Sequence, residues 1–157
     1  MVHLNQMPIA INSDKIILNS EKDTKEFAEN FLSKIKLNYI VFIYGEMGVG
    51  KTTFIKYLIN GFQKKNKLLL TEVTSPTFNL LSEYAINNLI IKHYDLYRLE
   101  NEKEADNLGL FEDEPNTIIL IEWPDIIKRD LENLIKLYFS YENDHQKRFV
   151  QIQGLDL

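Results

Sequence analysis

The sequence predicts a three-layer α/β fold, a central parallel sheet with antiparallel strands at its flanks, on three observations. Two continuous apolar runs of strand length, "YIVFIY" at 39–44 and "TIILIEW" at 117–123, have the β-branched and aromatic content of strands buried on both faces. The first runs straight into a glycine-rich loop and an amphipathic stretch, the order of a strand-loop-helix unit. "FNLLSEYAI" (78–86) and "LIIKHYDL" (89–96), separated by Asn87 and Asn88, read as an antiparallel hairpin, because asparagine tolerates the positive φ of tight turns.

The remaining elements follow in order. "KIIL" (15–18) is a short strand. Ser20, with Asp23 three residues on, resembles a capping box opening a helix through about Lys36, with Phe27, Ala28, Phe31, Leu32 and Ile35 as its apolar stripe. "KTTFIKYLINGF" (51–62) is a helix with Phe54, Ile55, Leu58 and Ile59 on one face, and "KKNK" at 64–67 places cations at its negative pole. "NEKEADNLGL" is a polar helix and its exit, and "LIKLYFSYE" with "RFVQIQ" forms a closing hairpin.

At 157 residues the chain is read as one domain, 1–157, without repeats or linkers. Having no cysteine, it lacks disulfides and thiolate metal sites, which points to a reducing compartment, the cytoplasm. Its first twenty residues lack the basic start and apolar core of a secretion signal, and no window has the apolar length of a membrane span. A formal charge of −5 repels nucleic-acid phosphates on average, so strong autonomous nucleic-acid binding is not expected.

The residues "GEMGVGKTT" (45–53) fit G-x-x-x-x-G-K-[ST] without departure, between a buried strand and an amphipathic helix. A P-loop NTPase fold follows. Gly45, Gly48 and Gly50 let the backbone N–H groups of this loop, Glu46, Met47, Val49 and Thr53 included, converge on phosphate oxygens. The helix presents its positive end to the same anion. Lys51 reaches the β and γ phosphates, and the Thr52 hydroxyl is placed for Mg²⁺. No N-K-x-D segment occurs, which favours ATP over GTP.

Two strand-end acids, Asp95 and Glu122, reach this same edge if their strands run parallel to 39–44. Spacing does not apportion metal-holding and water-positioning roles between them. On 89–96, His93, Asp95 and Tyr97 share one face, and His93 is read as satisfied by a neighbour, having no second ligand at a metal-site spacing. Thr74, Ser75 and Thr77, stiffened by Pro76, lie just before the strand at 78–86; if that strand is antiparallel to the one Asp95 ends, their hydroxyls face the γ-phosphate, the alternative being a turn rich in small polar residues. Trp123, the single tryptophan, is either core or a partner anchor.

"GEMGVGKTT", "TSPTFNLLSEY", "HYDLYRL", "LGL" and "IEWPD", in this order from about residue 40 to 125, resemble the bacterial TsaE (YjeE) ATPases of tRNA threonylcarbamoyladenosine formation. The resemblance implies ATP and Mg²⁺ as cofactors, with Lys51 as the phosphate lysine and Thr52 and Asp95 on the magnesium side. It also implies Glu122 and Trp123 as a pair needed for activity, and Thr74, Ser75 and Thr77 as a switch. Partners implied are the threonylcarbamoyl transferase subunit (TsaD) and its scaffold subunit (TsaB), on which slow hydrolysis is activated. The chain departs from the pattern after Asp125, where Ile126 replaces an arginine many members carry, and "NEKEADNLGLFEDEPN" is family-like only at its Leu-Gly core.

Two other readings use the same loop. A small-molecule kinase needs arginines closing over the transferred phosphoryl group, and this chain has only Arg98, Arg129 and Arg148. A nucleotide-gated binding module needs occupancy without hydrolysis.

Overall fold

The computed structural model describes residues 14–143 and 147–156; of the stretch read for a secretion signal, residues 1–13 lie outside them. The elements are β1 (Ile16–Ile17), α1 (Glu21–Lys34), β2 (Ile40–Tyr44), α2 (Lys51–Lys65), β3 (Leu81–Ile86), β4 (Leu89–Asp95), α3 (Glu102–Asn107), β5 (Thr117–Glu122), a 3-10 turn (Pro124–Ile126), β6 (Leu134–Tyr141) and β7 (Arg148–Gln153). All seven strands share one sheet in the order β1-β7-β6-β2-β5-β4-β3. The middle pairings, β6 with β2, β2 with β5 and β5 with β4, are parallel, and the outer ones are antiparallel.

Side-chain alternation divides the sheet into two buried faces. Val41, Ile43, Ile91, Ile118 and Leu120 meet α1 and α2 on one, while Phe42, Tyr94, Ile119 and Ile121 meet Ala105 of α3 and Leu110 on the other. The α1–α2 layer is knitted by rings: Phe54 lies 5.3 Å from Phe27, 5.4 Å from Phe31 and 5.6 Å from Phe139. Tilted and edge-to-face ring pairs of this kind add to the stabilisation from buried area.

Helix starts follow their caps. Ser20 Oγ accepts from the Asp23 N–H at 3.1 Å, although the Asp23 carboxylate reaches back to Asn19 rather than to Ser20. Asn101 caps α3 through the Glu104 N–H. Lys64 and Lys65 close α2, as the basic run at its end requires.

Two further features differ from the sequence expectation. The strand expected from residue 78 begins at Leu81, because Pro76 O accepts from Leu80 N–H at 2.8 Å and Leu80 takes a positive φ of 66°. The resulting turn turns Phe78 outward, 82% exposed under the Arg98 guanidinium. The closing hairpin forms, but β6 also inserts beside β2, with Ile43 level with Leu137.

Register then sets the functional edge. Ile43 is level with Glu122, and Glu122 with Asp95, so both acids stand two residues short of the level where Gly45 opens the phosphate loop. A Cβ on Gly45, at φ 150°, would sit 2.8 Å from both the Phe139 carbonyl oxygen and Val49 Cγ1, so only glycine lets the loop leave β2 against β6.

Phe54→Ala is expected to destabilise the fold by about 3–5 kcal/mol, the usual cost of emptying a fully buried aromatic site, while Phe78→Ala stays within about 0.5 kcal/mol. Denaturant unfolding of the two variants checks the contrast.

Candidate active site at the phosphate loop

Of the three α-helices in the described residues, α2 begins without a side-chain cap: Gly50, at φ 113°, precedes it and no acidic residue occupies its first turn. Its leading amides therefore remain donors for an anion. They open onto a pocket of about 340 Å³ whose walls include Met47, Gly48, Gly50, Lys51, Thr52 and Thr53 from the loop and helix. Ser75, Thr77, Asp95, Tyr97, Glu122, Trp123 and Arg148 complete it.

At the pocket floor a chain of oxygens joins three segments. Thr52 Oγ1 donates to Glu122 Oε1 at 3.2 Å. Ser75 Oγ lies 2.6 Å from Asp95 Oδ2 and 3.0 Å from Glu122 Oε2, and its single hydrogen serves one of them at a time. Asp95 Oδ1 accepts from the Tyr97 N–H at 3.0 Å. Beneath, His93 Nε2 lies 2.7 Å from Glu122 Oε2 with the ring wholly buried, and the buried Nδ1 has no hydrogen-bond partner among the described residues.

Glu122 is 2% exposed. Burial alone pushes its carboxyl pKa up, yet the His93 hydrogen bond, the charges of His93 and Lys51 and the Ser75 hydroxyl hold it below the ordinary carboxylate value. Lys51 goes the other way. Burial lowers its pKa from 10.5 to about 8, against the pull of Glu122, Asp95, Asp125 and Glu46. Its ammonium donates to the Gly45 carbonyl and lies 3.6 Å from the centroid of the Trp123 ring, a cation–π contact. Trp123 holds that ring in place from a left-handed backbone at φ 56° and packs 4.8 Å from Tyr97.

The family model described as threonylcarbamoyl adenosine biosynthesis protein TsaE matches residues 18–150. The chain belongs to the TsaE family. A TsaE from Rickettsia typhi is 47% identical over 111 residues, covering 71% of this chain and 74% of the relative. One from Rickettsia bellii is 45% identical over 136 residues, covering 86% and 92%. Even a TsaE from Aquifex aeolicus keeps 34% identity over 109 residues, covering 69% and 75%. Each is named a tRNA threonylcarbamoyladenosine biosynthesis protein. The solved structure of the Bacillus protein YdiB shares the fold, with a TM-score of 0.64 and 21% identity over 94% of this chain and 89% of that one.

Within this chain the expected site residues are brought together unequally. Lys51, Thr52, Thr53, Ser75, Thr77, Asp95, Glu122 and Trp123 all line the pocket. Val49 is buried in the core instead, Gly45 and Glu46 lie outside the lining, and so does the exposed Thr74. No helix among the described residues is long and apolar enough to cross a membrane.

Sequence reasoning missed Arg148 and Tyr141. From the closing hairpin, an Arg148 guanidinium nitrogen comes within 3.5 Å of where a Gly50 Cβ would stand, and Tyr141 OH donates to the Gly48 carbonyl at 2.9 Å. The insertion of β6 beside β2 brings both to the loop, and no local motif carries that information.

Lys51 carries a testable linkage. Its folded pKa near 8 lies below the unfolded value of 10.5, so between these pH values the unfolded chain binds more protons and stability rises with pH. Lys51→Met is expected to unfold at a higher temperature than the native chain at pH 7. The advantage shrinks as pH climbs from about 8 to about 10.5, as calorimetric scans at stepped pH will register.

Proposed function

We propose that this TsaE-family chain is a single-domain P-loop ATPase of the cytoplasm, which binds ATP with Mg²⁺ and hydrolyses it slowly until docking on the TsaD and TsaB subunits activates it. The observation that carries the reading is the hydrogen-bonded set Thr52, Glu122, Ser75 and Asp95, lying against the uncapped start of α2. A hydroxyl beside two carboxylates suits a hard divalent ion. No group of three or more His, Cys, Asp or Glu side chains forms a metal site among the described residues. Phosphate oxygens and water would supply the remaining ligands, the usual arrangement for Mg²⁺ beside a nucleotide.

Each residue's part follows from its place. The loop amides from Gly45 to Thr53 and the ammonium of Lys51 hold the phosphates, Lys51 leaving the Gly45 carbonyl and the Trp123 face to do so. Thr52 and Asp95 would hold Mg²⁺, as the family resemblance implies, and Glu122, whose Oε1 accepts from the Thr52 hydroxyl, is placed to join them. When bound, the ion supplies charge neutralisation at the β and γ phosphates. Ser75, whose hydroxyl answers to either acid, links the 74–77 switch segment to the floor of the pocket. Thr74, which is exposed, and Thr77 on the pocket wall are the residues through which a docked partner would sense that segment, with the buried Trp123 behind them against Lys51. By the family resemblance the modification of tRNA itself falls to the partner, and the net charge of −5, which gives this chain little attraction for RNA, is consistent with that.

Lys51→Ala is expected to abolish ATP hydrolysis. Glu122→Ala is expected to lower it on the order of a hundredfold or more while nucleotide binding in the absence of Mg²⁺ persists. Phosphate release by the purified chain with Mg²⁺, alone and with the TsaD and TsaB subunits added, measures both. Stimulation by the partners in the native chain and none in Lys51→Ala is the expected result. An unimpaired Glu122→Ala would leave a nucleotide-gated binding module as the reading.

A further inference from the structure

Resting on the ATPase reading, one buried side chain has no part in the chemistry so far. His93 is fully buried on β4, on the sheet face where Ile91, Ile118 and Leu120 pack into the apolar layer under α2. A hydrocarbon is the ordinary occupant of such a position. Histidine there leaves Nδ1 without a partner, an unfavourable burial for a polar atom. What the imidazole gains is a single contact: Nε2, 2.7 Å from Glu122 Oε2. An ionised carboxylate only accepts, so Nε2 carries the hydrogen and donates it.

We infer that His93 is the positioning residue for Glu122, fixing the carboxylate so that Oε1 faces the Thr52 hydroxyl and the metal-nucleotide. The terminal torsion of a glutamate is broad and does not select an orientation by itself. Ser75 does not select one either, because its hydrogen is shared between Asp95 and Glu122. His93 is level with Leu120 in the parallel register and reaches Glu122 diagonally, two residues on. Asp95 follows His93 by two residues on the same face, so one strand supplies one acid and the group that orients the other. The sequence H-x-D is thereby a functional spacing. His93 acts through Glu122, since its own ring is wholly buried and does not line the pocket.

The test compares His93→Leu, which removes the donor, with His93→Gln, whose amide nitrogen replaces Nε2. The readouts are binding of a fluorescent ATP analogue with Mg²⁺ and with EDTA, thermal unfolding, and the Mg²⁺ concentration for half-maximal hydrolysis. His93→Leu is expected to stay folded and to bind the analogue in EDTA as the native chain does. It is expected to need on the order of tenfold more Mg²⁺, the size of effect typical when a metal ligand loses its orienting partner. His93→Gln is expected to restore most of that loss. Native-like Mg²⁺ dependence in His93→Leu would overturn the inference, and so would equal losses in both variants, with or without Mg²⁺, which mark a packing role. If His93→Leu does not fold, His93→Gln decides: native-like Mg²⁺ dependence supports a donor role, and weakened Mg²⁺ dependence contradicts it. A native chain that binds no nucleotide under Mg²⁺ overturns the ATPase reading itself, a result distinct from any change confined to the variants.

Discussion

A carboxylate buried as deeply as that of Glu122 is tolerable only where donors meet it, and this requirement ties the structure together. Its donors come from three separate places: Thr52 on α2, Ser75 on the segment before β3, and His93 on β4. Shifting β4 against β5 by one residue would turn His93 to the other face and leave the charge unmet, so the register of the sheet and the seating of α2 are bound to one side chain. With Asp95 joined through the same serine, two like charges stand side by side, an arrangement that a cation relieves.

The same economy governs the phosphate end of the site. The start of α2 has no side-chain cap, and Lys51 rests on the loop's own carbonyl and on Trp123. These contacts are weaker substitutes for phosphate oxygens, which would satisfy both the amides and the ammonium. Stability has been given up here for readiness: an uncapped helix and a lysine buried enough to lower its pKa are local costs borne by the apolar layer around Phe54.

Much of this was legible in the chain. The buried strands announced themselves as apolar runs, the loop by its glycines and Lys-Thr pair, and the acids by their place at strand ends, because each signal is local and periodic. Order across the sheet is not local. The insertion of β6 beside β2 follows from long-range pairing, so Arg148 and Tyr141 stayed hidden although their identities were in plain view. Phe78 misled because its apolar character suggested strand, while the turn closed by Pro76 decided its exposure. The expectation that a neighbour satisfies His93 holds for Nε2 and not for the buried Nδ1, and which neighbour it is depended on the register of β4 against β5.

The central claim is that the Glu122 carboxylate belongs to the nucleotide-bound metal and not merely to the fold. Calorimetric titration of ATP into the native chain and into Glu122→Gln, each with Mg²⁺ and with EDTA, tests it most directly. The expected result is a loss on the order of tenfold or more in the Mg²⁺ titration only, the EDTA affinities remaining equal. Equal affinities under both conditions, or an equal loss in both, would contradict it.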